Sequence, residues 1–211
     1  MNKELSTHEK QMAYMETSIR SGLQLIPVFG GALHQMTFGT YDIIQGKRIQ
    51  KYLESLEEIL QSGKLQEDTL KGLTKYFKTE YGAEFVYLTL EKAKKIRNEF
   101  KRECLRDFFF EYSLSNIKYD LDKAESFLQL IEILNINSIN ILFSLANQIE
   151  LDRQELREKG FINDDLNFYS QQLISNGLAI DSGMGSFDAM ALQHISITKR
   201  GKEFLTYIKI V

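Results

Sequence analysis

Apolar and polar residues alternate along this chain mostly with the 3.6-residue period of helices. Met12, Met15 and Ile19 share one face of a helix predicted over Ser6 to about Ser21, where Ser6 and Glu9 form a capping box. The longest apolar run follows, GLQLIPVFGGALHQMTFGTYDIIQG, Gly22 to Gly46. It holds the chain's one proline, Pro27, which biases Ile26 away from helix and, with Gly30 and Gly31, predicts a turn. A second helix is predicted from about Ala32 through GTYDIIQGKRIQKYLESLEEILQ, ended by Gly63, and a short helix over about Glu67 to Lys78. Phe85, Leu88, Ile96, Phe100, Cys104, Phe108 and Tyr112 then keep helical spacing through one periodic segment, Glu84 to Leu114. Asp122 with Glu125 marks a further helix start, and Phe127, Leu130, Ile131 and Leu134 lie on one face. Asn135 to Asn137 breaks that helix, and Ser138 to Ile149 forms the next.

After about Asn137 the pattern changes to a helix, a short helix, a helix, two β-like runs and a closing helix. Gly177 suits a helix C-cap in the left-handed conformation. Gly183 and Gly185 supply a turn within Asp181 to Ala191, and Thr198 is placed to start the closing helix. The pattern predicts a mainly α fold: an N-terminal helical bundle followed by a small α+β module. The boundary is expected near Tyr119, giving a helical domain over 1–119 with an apolar, glycine-spaced hairpin at 22–46, and a second domain over 120–211.

Composition narrows the function classes. At 211 residues and 43% hydrophobic content the chain can bury a sizeable core. A net charge of -3 argues against a chain built as a whole for nucleic acid. One cysteine, Cys104, excludes an internal disulfide and a cysteine-based metal site, and fits a reducing compartment. Arg102 and Arg106 near it favour a thiolate, but no histidine stands at a recognisable position, so Cys104 is read as a buried structural residue. His8, His34 and His194 lie far apart, and no metal-binding motif, P-loop or dinucleotide fingerprint is present. No catalytic, cofactor-binding or metal residue is assigned, and no cofactor is expected. The N-terminus lacks the uninterrupted apolar core of a signal peptide, which places the protein in the cytoplasm, with the inner-membrane surface as a peripheral alternative.

Two segments are candidates for binding. Gly22 to Gly46 is interrupted by Gln24, His34, Gln35 and Asp42, so a buried helical hairpin is the first reading and a conditionally membrane-inserting hairpin the second. Phe29, Gly30, Gly31, Leu33, Phe38, Gly39 and Gly46 are the residues of the segment expected to act if it is a membrane or oligomer element rather than core. Lys47, Arg48 and Lys51 directly after it would meet anionic head groups. In the C-terminal module, Asn167, Gln171 and Gln172 are candidates for base contacts and Lys199, Arg200 and Lys202 for phosphates. However, the helix Asp164 to Asn176 carries no Lys or Arg and begins with two aspartates. Asp122 to Val211 holds 8 Lys+Arg against 12 Asp+Glu, a formal -4, which forgoes much of the counterion-release affinity for DNA.

The stretch Asn176-Gly177-Leu178, the turn Asp181 to Ala191, and Ile197-Thr198-Lys199-Arg200-Gly201-Lys202-Glu203-Phe204-Leu205 resemble the second half of a winged-helix domain of the MarR type. The order of the stretches Ile26 to Lys51, Glu99 to Leu114 and Phe127 to Leu145 is similar to uncharacterised bacterial proteins related to the abortive-infection alpha family. That second resemblance rests on pattern over about two thirds of the chain, with no invariant motif. It implies a non-enzymatic phage-defence effector or adaptor acting through protein contacts, self-association or a membrane surface. The alternative is a winged-helix transcription regulator with a helical dimerisation or sensor domain.

Overall fold

The computed structural model describes residues 42–62, 65–115, 120–147, 151–160, 163–182 and 194–208. The predicted N-terminal helix, the turn at Pro27, and Phe29, Gly30, Gly31, Leu33, Phe38 and Gly39 lie outside the described residues, as do Tyr119 and the turn glycines Gly183 and Gly185. Among the described residues the chain is mainly α, with nine helices and a small antiparallel sheet. It divides into two compact units between Leu128 and Gln129.

The first unit contains α1 (Asp42–Gln61), α2 (Glu67–Phe77), α3 (Glu80–Lys95) and α4 (Glu99–Leu114), and enters α5 (Leu121–Ile133). Helix α1 buries Ile49, Tyr52, Leu53 and Leu56 on one stripe and packs on α3 and α4. Local chemistry fixes the helix starts: the Thr79 hydroxyl accepts from Gly82 N–H to begin α3, and the Asn98 side-chain oxygen accepts from Lys101 N–H to begin α4. The periodic segment Glu84 to Leu114 is therefore two helices, not one. Ile96 leaves α3 in an extended conformation yet stays buried, so the apolar spacing continues across the break. The start of α5 also differs from expectation: Asp120, rather than Asp122, accepts from the Lys123 N–H.

Aromatic rings fill this unit. Phe109 stacks on Phe85 at 5.7 Å and on Phe77 at 5.1 Å, and Phe108 stacks on Tyr112 at 5.2 Å and meets Phe127 edge-on. Such pairs add roughly 0.5–1.5 kcal/mol each beyond their buried area. The Phe108-Phe109-Phe110 run is thus core. Close packing reaches the backbone at Gly82, where a Cβ would lie 2.2 Å from the Tyr76 carbonyl oxygen.

The second unit takes the end of α5, then α6 (Ile136–Ala146), β1 (Leu151–Asp152), α7 (Arg153–Glu158), α8 (Asn163–Ser175), β2 (Ala179–Asp181), β3 (His194–Ile197) and α9 (Lys199–Tyr207). The sheet order is β1-β3-β2, with Leu151 opposite Ile195 and Ala179 opposite Ile197. The β-like runs 179–181 and 194–197 pair as the pattern suggested. Strand β1 does not show in the sequence, because two residues carry no alternation. Helix α6 begins at Asn135, whose side chain accepts from Asn137 N–H, so the break seen at 135–137 is a cap. Its buried Ile139, Ile141, Leu142 and Leu145 face α8, α9 and β3. Gly177, at φ 69°, turns the chain out of α8, and the Thr198 hydroxyl accepts from Gly201 N–H to start α9. Gly201 is packed so tightly that a Cβ there would stand 2.2 Å from the Leu178 carbonyl oxygen.

Among the described residues no single helix is long and apolar enough to cross a membrane. Helices α5 and α6 pass by length and composition only as a bent pair, and most of their large apolar side chains are buried.

Candidate functional site

The outer face of α8 is the best-defined exposed surface with chemistry of its own. Leu166, Tyr169, Ser170 and Leu173 point inward and are buried. At helical spacing the opposite face must therefore carry Asp165, Asn167, Phe168, Gln171 and Ser175, and all five are exposed. Phe168 is 57% exposed although it is the largest apolar residue on the helix surface, and its ring leans edge-on against Tyr169 at 5.6 Å. No Lys or Arg stands between Asn163 and Ser175.

Gln172 does not join that outer face. Its side-chain oxygen accepts from Asn135 N–H and from the Ser138 hydroxyl, both at 2.7 Å, and its amide nitrogen donates to the Ile133 carbonyl at 3.1 Å. Tyr169 adds a neighbouring bond, its hydroxyl accepting from the Asn137 side chain at 2.9 Å. The α5–α6 corner is thus fastened to α8. A side chain held by three bonds has little left for a base edge, whereas Asn167 and Gln171 remain on the surface.

The basic cluster lies on a different element, α9. Lys199, Arg200 and Lys202 are exposed on the first turn of α9. The Arg200 Cδ sits 3.8 Å from where a Cβ on Gly177 would be, which puts its stem beside the C-terminal end of α8.

In the first unit the residues expected at the head-group edge separate. Gly46 is buried, Lys47 and Lys51 are exposed, and Arg48 donates to the Lys94 carbonyl at 2.9 Å, joining α1 to α3. Lys51 also lines a polar groove of about 270 Å³ between α1 and α4, with Glu54, Glu58, Glu103, Arg102 and Arg106 among its walls. Helix α4 also carries a buried polar group, Asp107, that periodicity alone would place on a solvated face. Asp107 accepts from the Arg106 guanidinium at 2.8 and 2.9 Å through one oxygen, and its other oxygen is buried without a partner. Burial is the main force raising the Asp107 carboxyl above the usual carboxylate range, against the pull of Arg106. The Tyr52 hydroxyl is likewise fully buried without a bond, and the Thr89 hydroxyl facing it is donated to the Val86 carbonyl at 2.8 Å. The Cys104 thiol is buried, and desolvation, with Asp107 and Glu103 adding to it, pushes it up to about 12. The two arginines near it in sequence do not make it a thiolate.

Among the described residues no group of His, Cys, Asp and Glu is placed to hold a metal ion. The chain matches no protein-family model, no curated protein and no solved structure.

Proposed function

We propose that this chain is a non-enzymatic helical effector or adaptor of the abortive-infection type, whose second unit is a winged-helix module used for protein contact. The order α6-β1-α7-α8-β2-β3-α9, with β1-β3-β2 pairing and Gly177 and Thr198 at its corners, supports the winged-helix assignment. In that assignment α8 takes the place of the recognition helix. One observation carries the protein-contact reading: the exposed face of α8 offers an aromatic ring and a carboxylate, and no cation. Phosphates would meet Asp165 there, and the formal -3 of Gln129–Val211, 7 Lys+Arg against 10 Asp+Glu, gives counterion release little to work with. An exposed aromatic beside polar groups is instead the composition of a protein interface centre.

A titration of a labelled duplex with the full chain at about 50 and about 200 mM salt tests this. The expected result is no saturable binding at either concentration. The DNA-binding alternative draws on the exposed Lys199, Arg200 and Lys202. It requires binding that weakens steeply with salt and is lost when those three residues become Glu. The segment Gly22 to Gly46 is proposed as the effector or oligomerisation element. Flotation with anionic vesicles of the full chain beside a folded deletion of that segment separates a membrane role from an internal one.

A further inference from the structure

We infer that Asn176-Gly177, the corner between α8 and β2, is a site of spontaneous deamidation that the folded chain holds shut and that opening of the last turn of α8 exposes. What the face of α8 contacts has no bearing on it. Of the chain's asparagines, Asn176 alone is followed by glycine. A backbone nitrogen reaches a side-chain amide most readily there, because glycine has no Cβ to stand in the way and turns freely. The step balances with water as its one co-reactant. The Gly177 backbone nitrogen gives up its proton to solvent base and attacks Cγ of Asn176. The new N–C bond closes a five-membered succinimide as the Cγ–Nδ2 bond breaks and ammonia leaves. Water then opens the ring at either carbonyl. The product is aspartate or, with the main chain rerouted through the side chain, isoaspartate.

The fold withholds both reacting groups. The Gly177 N–H donates to the Ile174 carbonyl and the Leu178 N–H to the Leu173 carbonyl, each at 2.9 Å, the paired bonds that close a helix through a left-handed glycine. The Asn176 amide donates to the Gln172 carbonyl at 2.7 Å, and the Thr198 hydroxyl donates to the Gly177 carbonyl at 2.7 Å. Gly177 is exposed and Asn176 half-buried, so water and base reach the pair once those bonds part. A helix end is where such local opening costs least. The products close less well than the parent. A carboxylate at position 176 cannot donate to the Gln172 carbonyl, and its charge stands at the negative end of the helix dipole. Isoaspartate adds a methylene to the main chain and spoils the spacing of the two closing bonds. Conversion therefore leaves the corner between α8 and β2 loosened for good.

The test is incubation of the full native chain at mildly alkaline pH beside a denatured sample. Peptide mass mapping, with chromatographic separation of aspartyl from isoaspartyl peptides, follows each asparagine. Asn176 should convert first among the asparagines of the native chain, to both products, and more slowly than in the denatured chain. Thr198→Ala removes the hydroxyl held on the Gly177 carbonyl and should speed the conversion by about five-fold, the gain in opening from one lost hydrogen bond. Circular dichroism checks that this variant folds. If it does not, the wild type in urea below its unfolding transition should show the same acceleration. A native chain whose Asn176 stays intact while another asparagine converts, or in which none converts, overturns the inference. So do equal rates in the native and denatured chains, and a native rate indifferent to the folded Thr198→Ala variant or, where that variant is unfolded, to urea.

Discussion

The Ser138 hydroxyl donates to the side-chain oxygen of Gln172 at 2.7 Å, tying the first turn of α6 to the last turn of α8. The same oxygen holds Asn135 N–H at the helix cap, and the amide nitrogen closes on Ile133. Gln172 therefore sets where α8 lies against the α5–α6 corner, and so which of its residues face outward. Gln172→Ala is expected to destabilise the protein by about 1–3 kcal/mol, because it orphans Asn135 N–H and deprives the buried Ser138 of one partner. Chemical denaturation of both proteins checks it. A loss below the error of the measurement would mean that water replaces the amide without cost.

Glycines provide a graded comparison. At Gly201 a Cβ would meet the Leu178 carbonyl oxygen at 2.2 Å and Ile197 Cγ1 at 2.9 Å, and at Gly82 it would meet the Tyr76 carbonyl oxygen at 2.2 Å. Backbone cannot move aside cheaply, so Gly201→Ala and Gly82→Ala should each cost about 2 kcal/mol or more. Gly72, within α2, has nothing within 4 Å of the added methyl. Gly72→Ala should stabilise by roughly 0.5–1 kcal/mol through helix propensity. Melting temperatures should rank Gly72→Ala above wild type and the other two below it. A different order would show that the tight approaches at Gly82 and Gly201 relax.

How much of this was legible beforehand depended on how local the cause was. Gly177 and Thr198 act through their own φ angle and their own hydroxyl, so the C-cap and N-cap around β2 and β3 could be read from residue type. The inward residues of α5 followed from spacing alone. Asn98 is a cap as well, but Ile96 and Phe100 keep helical spacing across it, and periodicity masked the break. Asp107 sits among alternating charges that suit a solvated face, and only the packing of the helices buries it. Gln172 looked available because its three partners lie 34 to 39 residues away. Phe168 was hidden for the opposite reason: an aromatic in a helix normally points inward, and here Leu166, Tyr169 and Leu173 already fill that side.

Cys104 gives a direct probe of global opening. Its thiol is enclosed and pushed up to about 12, so at about pH 8 it is protonated as well as inaccessible. Alkylation of the native protein should be far slower than that of a denatured control. It should accelerate with denaturant in step with unfolding of the first unit. Rapid labelling under native conditions would place Cys104 in a segment that opens locally.

Asp107 carries a pH dependence of defined sign. Burial, aided by Glu103 and Glu111, raises its carboxyl, while Arg106 opposes the rise. A carboxyl higher in the folded than in the unfolded chain prefers the proton when folded. Its contribution to stability is then greatest below the unfolded value of about 3.9 and is lost as pH rises through the folded value. Asp107→Asn supplies a neutral group of similar shape at all pH, and its amide can still accept from Arg106. The difference in stability between the Asp107→Asn variant and the wild type should therefore grow in favour of the variant from about pH 4 upward and level off at neutral pH. Denaturant midpoints for both proteins, taken at steps between about pH 4 and about pH 7, measure it. If the difference shrinks instead, the Arg106 pair outweighs the cost of burying the charge, and the partnerless oxygen of Asp107 is better solvated than its burial implies.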